Sequence, residues 1–335
     1  MNHSRKQKIR VKLIHRGQLG ALCIPQFPGK KTHWGECEFI FRLEERNYDW
    51  LVVIDDISRK TTAQPERLAC ADQHTLLVTT EPPTITHYGR AFAGQFAHVL
   101  TSQDEASLPH PNRILSHTGN LWFNGHNFDE IQKIDFNKKT ADISTVCSSK
   151  RQKHTIHNER YEFTQRLKQQ LPQLEVFGHG VRYIKKKYEA LDNYRFHLAI
   201  ENHIAKHHWT EKLADPFLSL AIPIYYGCPN IADYFPEDSY VPIDIKKPAE
   251  ALDTINAVLS DPDAYTKRLD ALKEAQYRVL YKYNLIAMLD ELISEKFNPT
   301  LKGSSRPLYG RKQTRFHHPR DLMSHIHWSL RKSLR

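Results

Sequence analysis

The 335-residue chain is 40% hydrophobic and 26% charged, which is typical of a folded globular protein with room for two domains of ordinary size. No apolar run reaches the length of a transmembrane helix, which argues against a membrane-spanning protein. The basic N-terminal stretch MNHSRKQKIRVKLIHRG lacks the apolar centre of a signal peptide, so the sequence predicts a cytoplasmic location.

The net charge of +10 is concentrated at the C-terminal end. Residues 301–335 contain nine Lys and Arg and one acidic residue, Asp321, so this segment carries +8 and the first 300 residues carry +2. We expect a nearly neutral body with a basic tail. A nucleic-acid partner is not expected, because the body has neither the charge nor a recognition motif for one.

The cysteine and histidine patterns do not indicate a metal site. The five cysteines are scattered, odd in number and without CxxC spacing, which disfavours both a disulfide framework and a zinc site. They are predicted to be small core residues. The twenty histidines show no HExxH or similar spacing, so no metal is predicted.

Short apolar stretches in the first 140 residues predict the strands of an α/β domain. Residues 9–17 (IRVKLIHRG) alternate apolar and polar positions, as a first strand would. Residues 50–57, 75–80 and 96–103 are apolar runs that end in polar residues. Such runs are typical of buried parallel strands whose carboxyl ends face a cleft.

From Asn137 the alternation of strand and helix starts again. Strands are predicted in ISTVCS, LEVFGHG, YRFHLAIEN and AIPIYYG, a helix in ERYEFTQRLKQQL, and mostly helix after residue 246. The pattern predicts two α/β domains with a boundary near Asp142. The predicted division is 1–141, a first α/β domain; 142–300, a second α/β domain; and 301–335, a basic amphipathic tail.

Thr210 is a good N-cap, which places Glu211 and Lys212 in the first turn of the following helix. A lysine there is unfavourable beside the helix dipole unless an anion compensates it, and a diphosphate would do so. The alternative is that both side chains are solvated, as is common in first turns. Pro216 is expected to kink this helix or make its turn irregular.

The stretch from Tyr194 to Asp244 resembles the donor-binding signature of the α-1,3/4-fucosyltransferases, glycosyltransferase family 10, of bacterial type. That family carries a Y-[KR]-F-x-L-x-x-E-N strand, a T-E-K helix start, an [AV]-[IV]-P-[IV] strand, a glycine turn and an F-x-P segment. The residues that fit, in order, are Tyr194, Arg195, Phe196, Leu198, Glu201, Asn202, Thr210, Glu211, Lys212, Ile222, Pro223, Ile224, Gly227, Phe235 and Pro236. The match covers about fifty residues.

The resemblance implies a GT-B fold, in which two Rossmann-like domains face each other across a cleft. It implies that the C-terminal domain holds the sugar nucleotide, and that the N-terminal domain supplies the catalytic base and much of the acceptor site. It further implies a role for Lys212 in neutralising the donor diphosphate, for Glu211 in holding the ribose, and for Asn202 as another donor contact. An arginine that grips the diphosphate is assigned to Arg160, with Arg182 as the second choice and a surface arginine as its alternative reading.

The family's base is a glutamate just after a strand of the N-terminal domain, and Glu81 in LLVTTEPPTI fits this context. The alternative is a glutamate in an ordinary loop. The mechanism implied is a single inverting displacement, in which Glu81 deprotonates an acceptor hydroxyl and the cations stabilise the departing diphosphate.

The sequence departs from the family before T-E-K, where His208 stands near a position usually held by Tyr or Asp. His208 would still contact the donor, but the identity of the sugar is then open. No D-x-D motif is present, so a metal-independent transfer is expected. The adjacent acids Asp55 and Asp56 are predicted to cap the turn that comes after them.

The tail mixes Lys and Arg with apolar residues and predicts a short amphipathic helix suited to an anionic membrane surface. A disordered, solvated tail is the alternative. Together these points predict a cytoplasmic glycosyltransferase at the inner face of the membrane. It would transfer L-fucose from GDP-fucose to a glycan such as lipopolysaccharide, without a cofactor. The alternatives are another nucleotide-sugar donor, or a non-catalytic protein that binds glycan or nucleic acid.

Overall fold

The computed structural model describes residues 8–17, 19–57, 65–148 and 156–333. The chain forms two compact units, one of Met1–Gly119 with Leu285–Arg335 and the other of Asn120–Asn284. Each unit contains a largely parallel β-sheet with helices, so the predicted α/β class is confirmed.

Fourteen strands lie in the described residues. They are β1 Ile9–Ile14, β2 His33–Trp34, β3 Cys37–Ile40, β4 Trp50–Ile54, β5 Glu66–Arg67, β6 Thr75–Thr79, β7 His98–Thr101, β8 Arg113–Leu115, β9 Ala141–Val146, β10 Glu175–Phe177, β11 Tyr194–Ile200, β12 Ile222–Tyr226, β13 Val241–Pro242 and β14 Pro307–Leu308.

Eleven α-helices lie in the same residues, with short 3₁₀ turns and one π-helical turn, Val279–Tyr283, between them. They are α1 Leu19–Cys23, α2 Arg90–Ala93, α3 Phe128–Ile131, α4 His157–Gln170, α5 Glu211–Leu218, α6 Pro248–Ser260, α7 Ala264–Lys267, α8 Leu269–Arg278, α9 Leu285–Lys296, α10 Arg311–His317 and α11 Pro319–Ser333.

The first unit has a seven-stranded sheet in the order β2-β3-β1-β4-β6-β7-β8, parallel except for β2. The strands predicted near residues 9–17, 50–57, 75–80 and 96–103 are confirmed. All five residues of the central strand β4 are buried, as a strand covered on both faces requires. Because β4 and β6 are parallel neighbours, the residues directly after them, Asp55 and Thr80–Glu81, lie at the same edge of the sheet.

The second unit has a five-stranded, fully parallel sheet in the order β10-β9-β11-β12-β13. The four strands and the helix predicted after Asn137 are confirmed. Helix α5 begins after Thr210 as predicted. It runs through Pro216 and ends two residues later, where Leu220 takes a φ of 53° and the amide of Ala221 donates to the carbonyl of Pro216.

The unit boundaries differ from the predicted ones at 141/142 and 300/301. The chain enters the second unit at Asn120 and returns to the first at Leu285. The return is explained by α9, which packs on β2 and β3, where the Asp290 carboxylate accepts from the amides of Glu36 and Cys37 at 2.8 and 3.1 Å. Contacts between residues so distant in sequence leave no local pattern.

The basic tail is folded onto the first unit. Strand β14 pairs with β5, and Arg311 donates its backbone amide and its Nε to the Asp56 carboxylate at 2.9 and 3.1 Å. Helix α11 is the predicted amphipathic helix. Residues 301–333 are therefore part of a folded unit and not a separate appendage.

The five cysteines are all buried and unpaired, which confirms that they are small core residues. Among the residues that the structure describes, no helix is long and apolar enough to cross a bilayer.

Candidate active site

A cavity of about 640 Å³ opens at the carboxyl ends of β9 and β11 in the second unit. Four of the residues predicted to bind a donor line it: Arg160, Asn202, Glu211 and Lys212. They come from two helix starts and one strand end. Parallel α/β sheets bring such segments together at the carboxyl edge of the strands.

Arg160 lies in the first turn of α4 and is only 9% exposed. Its Nη1 donates to Asn202 Oδ1 at 2.8 Å, and its Nη2 donates to the carbonyl of Val146 at 3.2 Å. The guanidinium is thus fixed between the ends of β9 and β11. Asn202 holds the arginine in place and also lines the cavity, where the donor contact was predicted.

Glu211 and Lys212 form an ion pair in the first turn of α5, with Lys212 Nζ 2.8 Å from Glu211 Oε1. Burial by itself would raise the pKa of Glu211, but the Lys212 and Lys187 ammonium groups outweigh it and lower this pKa to about 2. Burial likewise opposes the charge of Lys212, but the Glu211 and Glu201 carboxylates raise its pKa. Both side chains are therefore ionised near neutral pH. The lysine already has a partial counter-charge in Glu211.

Glu201 holds the N-cap residue of α5, Thr210, through two hydrogen bonds. Its side chain is fully buried, its Oε1 accepts from the Thr210 amide at 2.8 Å, and its Oε2 accepts from Thr210 Oγ1 at 2.7 Å. Lys212 Nζ lies 4.0 Å away. Burial raises the pKa of Glu201. The motif E-N marked this residue in the sequence without giving its task, which is to hold the N-cap of α5.

Lys187 is a third cation at the cavity, and sequence reasoning missed it. Its Nζ donates to the buried Asp215 carboxylate at 2.8 Å and to the Glu211 carbonyl at 3.4 Å. Asp215 also accepts from the Phe123 amide at 2.9 Å. Lys187 ends a run of three lysines, which in sequence looks like a solvated surface. The ion pair with the buried Asp215 is what sets Lys187 apart from an ordinary surface lysine.

The floor of the cavity includes His197, whose imidazole is buried against Ser144. The two groups lie 2.8 Å apart, from Nδ1 to Oγ, and Ser144 donates onward to the carbonyl of Ala190. Burial lowers the pKa of His197 well below its usual value, so this ring is neutral. The positive charge of the cavity comes from Arg160, Lys187 and Lys212, and the exposed Lys185 lines the cavity as well.

The structure does not bring Arg182 or His208 to this cavity. The Arg182 side chain is 65% exposed, pairs with Glu175 at 2.6 Å and lies over the ring of Phe177 at 4.6 Å. His208 is only 8% exposed, with its ring 5.3 Å from that of His203. Burial lowers the pKa of His208 to about 4, so it is neutral near pH 7. Arg182 is therefore a surface arginine, as the alternative interpretation of the sequence predicted.

Glu81 lies in the first unit, directly after β6, and its side chain faces solvent. Its amide donates to Tyr88 Oη at 3.3 Å, and its carbonyl accepts from Gln103 Nε2 at 2.8 Å. The backbone of this loop is therefore held at both polar groups of Glu81, and Pro82 and Pro83 fix the φ angles of the next two positions.

Among the described residues, the hydrogen bonds of the Asp55 and Asp56 carboxylates go to distant parts of the chain and not to the local turn that was predicted. The carboxylate of Asp55 accepts from Thr80 and Tyr88, and that of Asp56 accepts from Arg16 and Arg311. Their partners lie on other elements because both acids directly follow the central strand β4, where the side chains are close to the loops of neighbouring strands.

Known proteins resemble this chain in sequence and in fold. Residues 136–289 match the family described as glycosyltransferase family 10 (fucosyltransferase) C-term. The chain is 39% identical over 92 residues to the α-(1,3)-fucosyltransferase FucT of Helicobacter pylori, which is 27% of this chain and 19% of that protein. It is 41% identical over 51 residues to the GDP-fucose protein O-fucosyltransferase 3 of Gallus gallus, which is 15% of this chain and 11% of that protein.

The matched regions thus span less than a fifth of these curated relatives. Among solved structures, the chain is similar in fold to an α1,3-fucosyltransferase crystallised with GDP-fucose. The TM-score is 0.51 at 18% identity, over 90% of this chain and 94% of the other. The fold class is therefore GT-B, and the resemblance seen in residues 194–244 is confirmed. Residues 136–289 are thus the part of this chain that matches glycosyltransferase family 10, the fucosyltransferase family.

Proposed function

We propose that the protein is an inverting fucosyltransferase that transfers L-fucose from GDP-fucose to a hydroxyl of a glycan, with lipopolysaccharide as the acceptor class. The observation that carries the proposal is that Arg160 and Lys212, which start two different helices, line the same cavity. Two cations held by polar partners, Asn202 for the arginine and Glu211 for the lysine, form a site for a compact dianion such as a diphosphate.

In the proposed reaction, the acceptor oxygen attacks the anomeric carbon as the bond from that carbon to the phosphate oxygen breaks. The proton of the acceptor hydroxyl passes to the Glu81 carboxylate, and GDP leaves with the bonding electrons. Arg160 and Lys212 stabilise the charge that develops on the leaving diphosphate. One displacement of this kind inverts the anomeric centre and needs no covalent sugar–enzyme intermediate.

The other cavity residues fit supporting tasks in donor binding. Glu211, ionised because its pKa is near 2, is an acceptor for ribose hydroxyls. Asn202 sets the direction of the Arg160 fork through the 2.8 Å hydrogen bond. Lys187 adds a positive charge beside Glu211. Because several cations line the cavity, we propose that the transfer needs no metal ion.

The donor is tested by offering GDP-fucose, GDP-mannose and UDP-galactose separately to the purified chain with defined core oligosaccharides. We expect transfer from GDP-fucose to be at least about tenfold faster than from the others, since a site built for one donor leaves polar groups unpaired with another. Mass spectrometry of the product and nucleotide release measure it, with and without EDTA.

Three outcomes would overturn parts of this proposal. Faster transfer from another sugar nucleotide would keep the reaction and change the donor. Failure to bind GDP in titration calorimetry would favour a non-catalytic glycan- or nucleic-acid-binding protein. Strict dependence on a divalent metal would contradict the metal-independent mechanism.

We also propose that α11 places the protein on the inner face of the cytoplasmic membrane. One face of the helix packs on the first unit: Ala91 N donates to the Asp321 carboxylate at 2.9 Å, and Trp328 Nε1 donates to the Pro83 carbonyl at 2.7 Å. Apolar side chains on the other face are exposed, namely Leu322, Met323, Ile326 and Leu330. Basic residues flank this face, which suits an anionic lipid surface.

The membrane contact is tested with Met323→Ser, Ile326→Ser and Leu330→Ser combined in one variant. We expect its affinity for phosphatidylglycerol vesicles to fall by about tenfold or more, since three apolar contacts with the bilayer are lost. Binding by the unaltered protein should weaken as salt rises. Sedimentation with vesicles measures both effects.

The matched control is Tyr277→Ser, which removes an exposed apolar side chain from the second unit and should leave vesicle binding unchanged. Deletion of residues 301–335 is a poor test, because it also removes β14 and the Arg311–Asp56 pair. Equal vesicle binding by the triple variant and the unaltered protein would contradict the membrane proposal.

A further inference from the structure

Asp55 has an unusual backbone conformation at the end of the central strand β4. Its φ is 62°, in the left-handed region that residues with a Cβ seldom adopt. Its amide nevertheless donates to the Val78 carbonyl at 2.9 Å, so the residue stays attached to β6. A conformation that costs energy persists only where surrounding contacts hold it, and such positions cluster at functional sites.

The contacts that hold Asp55 lie on the loop that carries Glu81. Asp55 Oδ1 accepts from the Thr80 amide at 2.8 Å, and its Oδ2 accepts from Thr80 Oγ1. The hydroxyl of Tyr88 donates to Oδ1 as well. One carboxylate therefore joins the residue before Glu81 to a tyrosine seven residues after it.

Tyr88 passes this constraint to Glu81 itself. The tyrosine is 2% exposed, and because its only hydroxyl proton goes to Asp55, its oxygen is oriented to accept from the Glu81 amide, 3.3 Å away. Gln103 holds the Glu81 carbonyl from the other side. Without the Asp55 carboxylate, both Thr80 and Tyr88 would lose the partner that fixes their orientation.

We propose that Asp55 is a positioning residue for the Glu81 base, acting through Thr80 and Tyr88. The proposal rests on the proposed function of Glu81. Its premise is that a base on an exposed loop needs a fixed backbone to meet the acceptor hydroxyl, since a small displacement of a reacting group is costly in rate. The left-handed backbone at Asp55 is what turns its carboxylate toward the β6 loop.

The first variants are Asp55→Gly and Asp55→Asn, because Gly and Asn both tolerate a positive φ and neither adds backbone strain. We expect Asp55→Gly to lower the kcat of fucosyl transfer by about 30-fold or more, as displacement of a catalytic group does. Asp55→Asn, which keeps one acceptor oxygen, should lose less. The KM for GDP-fucose and the Kd for GDP should stay within about twofold, since these depend on the second unit.

Tyr88→Phe serves as the second variant, because it breaks the link to the Glu81 amide and leaves Asp55 in place. It should lower kcat in the same direction as Asp55→Gly. Asp56→Asn is the structural control: it disturbs the buried pair with Arg311, so we expect a lower unfolding midpoint without the selective loss of kcat.

A double-mutant cycle separates positioning of Glu81 from a general effect. In the Glu81→Gln background, Asp55→Gly should change the residual rate by less than about twofold, because nothing remains to be positioned. An equal loss in both backgrounds would overturn the inference, as would an unchanged kcat in Asp55→Gly. If Glu81→Gln alone leaves the rate intact, the assignment of the base fails first, and the inference fails with it.

Discussion

Glu81→Gln is expected to lower the rate of fucosyl transfer by about 10³-fold, within the range attributed to a general base. Glutamine keeps the size of the side chain and an amide oxygen, but it cannot take up the acceptor proton near neutral pH. The amide and carbonyl of residue 81 would keep their partners Tyr88 and Gln103, so the loop should remain in place. Initial rates with saturating GDP-fucose and acceptor measure the effect.

The same variant should bind GDP as tightly as the unaltered protein, because the cavity residues Arg160 and Lys212 belong to the second unit and Glu81 to the first. Glu105→Gln is the matched control. It neutralises another exposed glutamate of the first unit, with only a loose 3.7 Å pair to Arg113, and should leave transfer unchanged. Undiminished transfer by Glu81→Gln would contradict its role as base, and a lost affinity for GDP would show that the residue is misassigned.

Sequence reasoning predicted the structural elements that are determined by residues close together in the chain. The apolar runs of β4 and β6 and the N-cap Thr210 are short-range patterns, and each forms the element expected. Arg160 was placed by the family resemblance at a helix start after the first strand of the second unit, and it does line the cavity. These features depend on neighbours in the chain.

The features that sequence reasoning missed depend on distant partners. Lys187 resembles any lysine in a charged run until the buried carboxylate of Asp215, 28 positions later, fixes it at the cavity. Arg182 comes after a glycine-ended strand, as a phosphate-binding residue would, yet Glu175 and Phe177 hold it outside the cavity. Electrostatic pairing determines the positions of both Lys187 and Arg182. Such pairs leave no trace in the apolar periodicity of the sequence.

The position of the tail and the role of Asp55 belong to the same class. Basic residues at the end of a chain usually indicate a solvated segment. Here Arg311 instead pairs with the buried Asp56, and this pair attaches α10 and α11 to the first unit. Asp55 looks like a turn-capping acid, and its left-handed backbone instead sends the carboxylate to Thr80. In each case a contact with a buried or strained group, which composition does not indicate, determines where the side chain lies.

Lys212→Ala is expected to weaken GDP binding by about 100-fold, close to the loss seen when one charged hydrogen-bond donor to an anion is removed from a partly buried site. The loss has two parts. The ammonium no longer meets the diphosphate, and the Glu211 and Glu201 carboxylates, 2.8 and 4.0 Å from the lysine in the unaltered protein, lose their shared cation. Two acids without that charge repel the incoming phosphates. Titration calorimetry with GDP measures the affinity.

Lys212→Met tests whether the effect is one of charge, because methionine keeps much of the length and apolar volume of the lysine stem. It should lose affinity as alanine does, whereas Lys206→Ala, at an exposed lysine of the same unit outside the cavity, should lose none. Transfer should fall further than binding, since the charge on the diphosphate grows as the sugar leaves and the ammonium interacts most strongly at that point. GDP affinity unaffected by both substitutions at Lys212 would mean that the cavity does not hold the diphosphate, and the proposed reaction would then lose the site on which it depends.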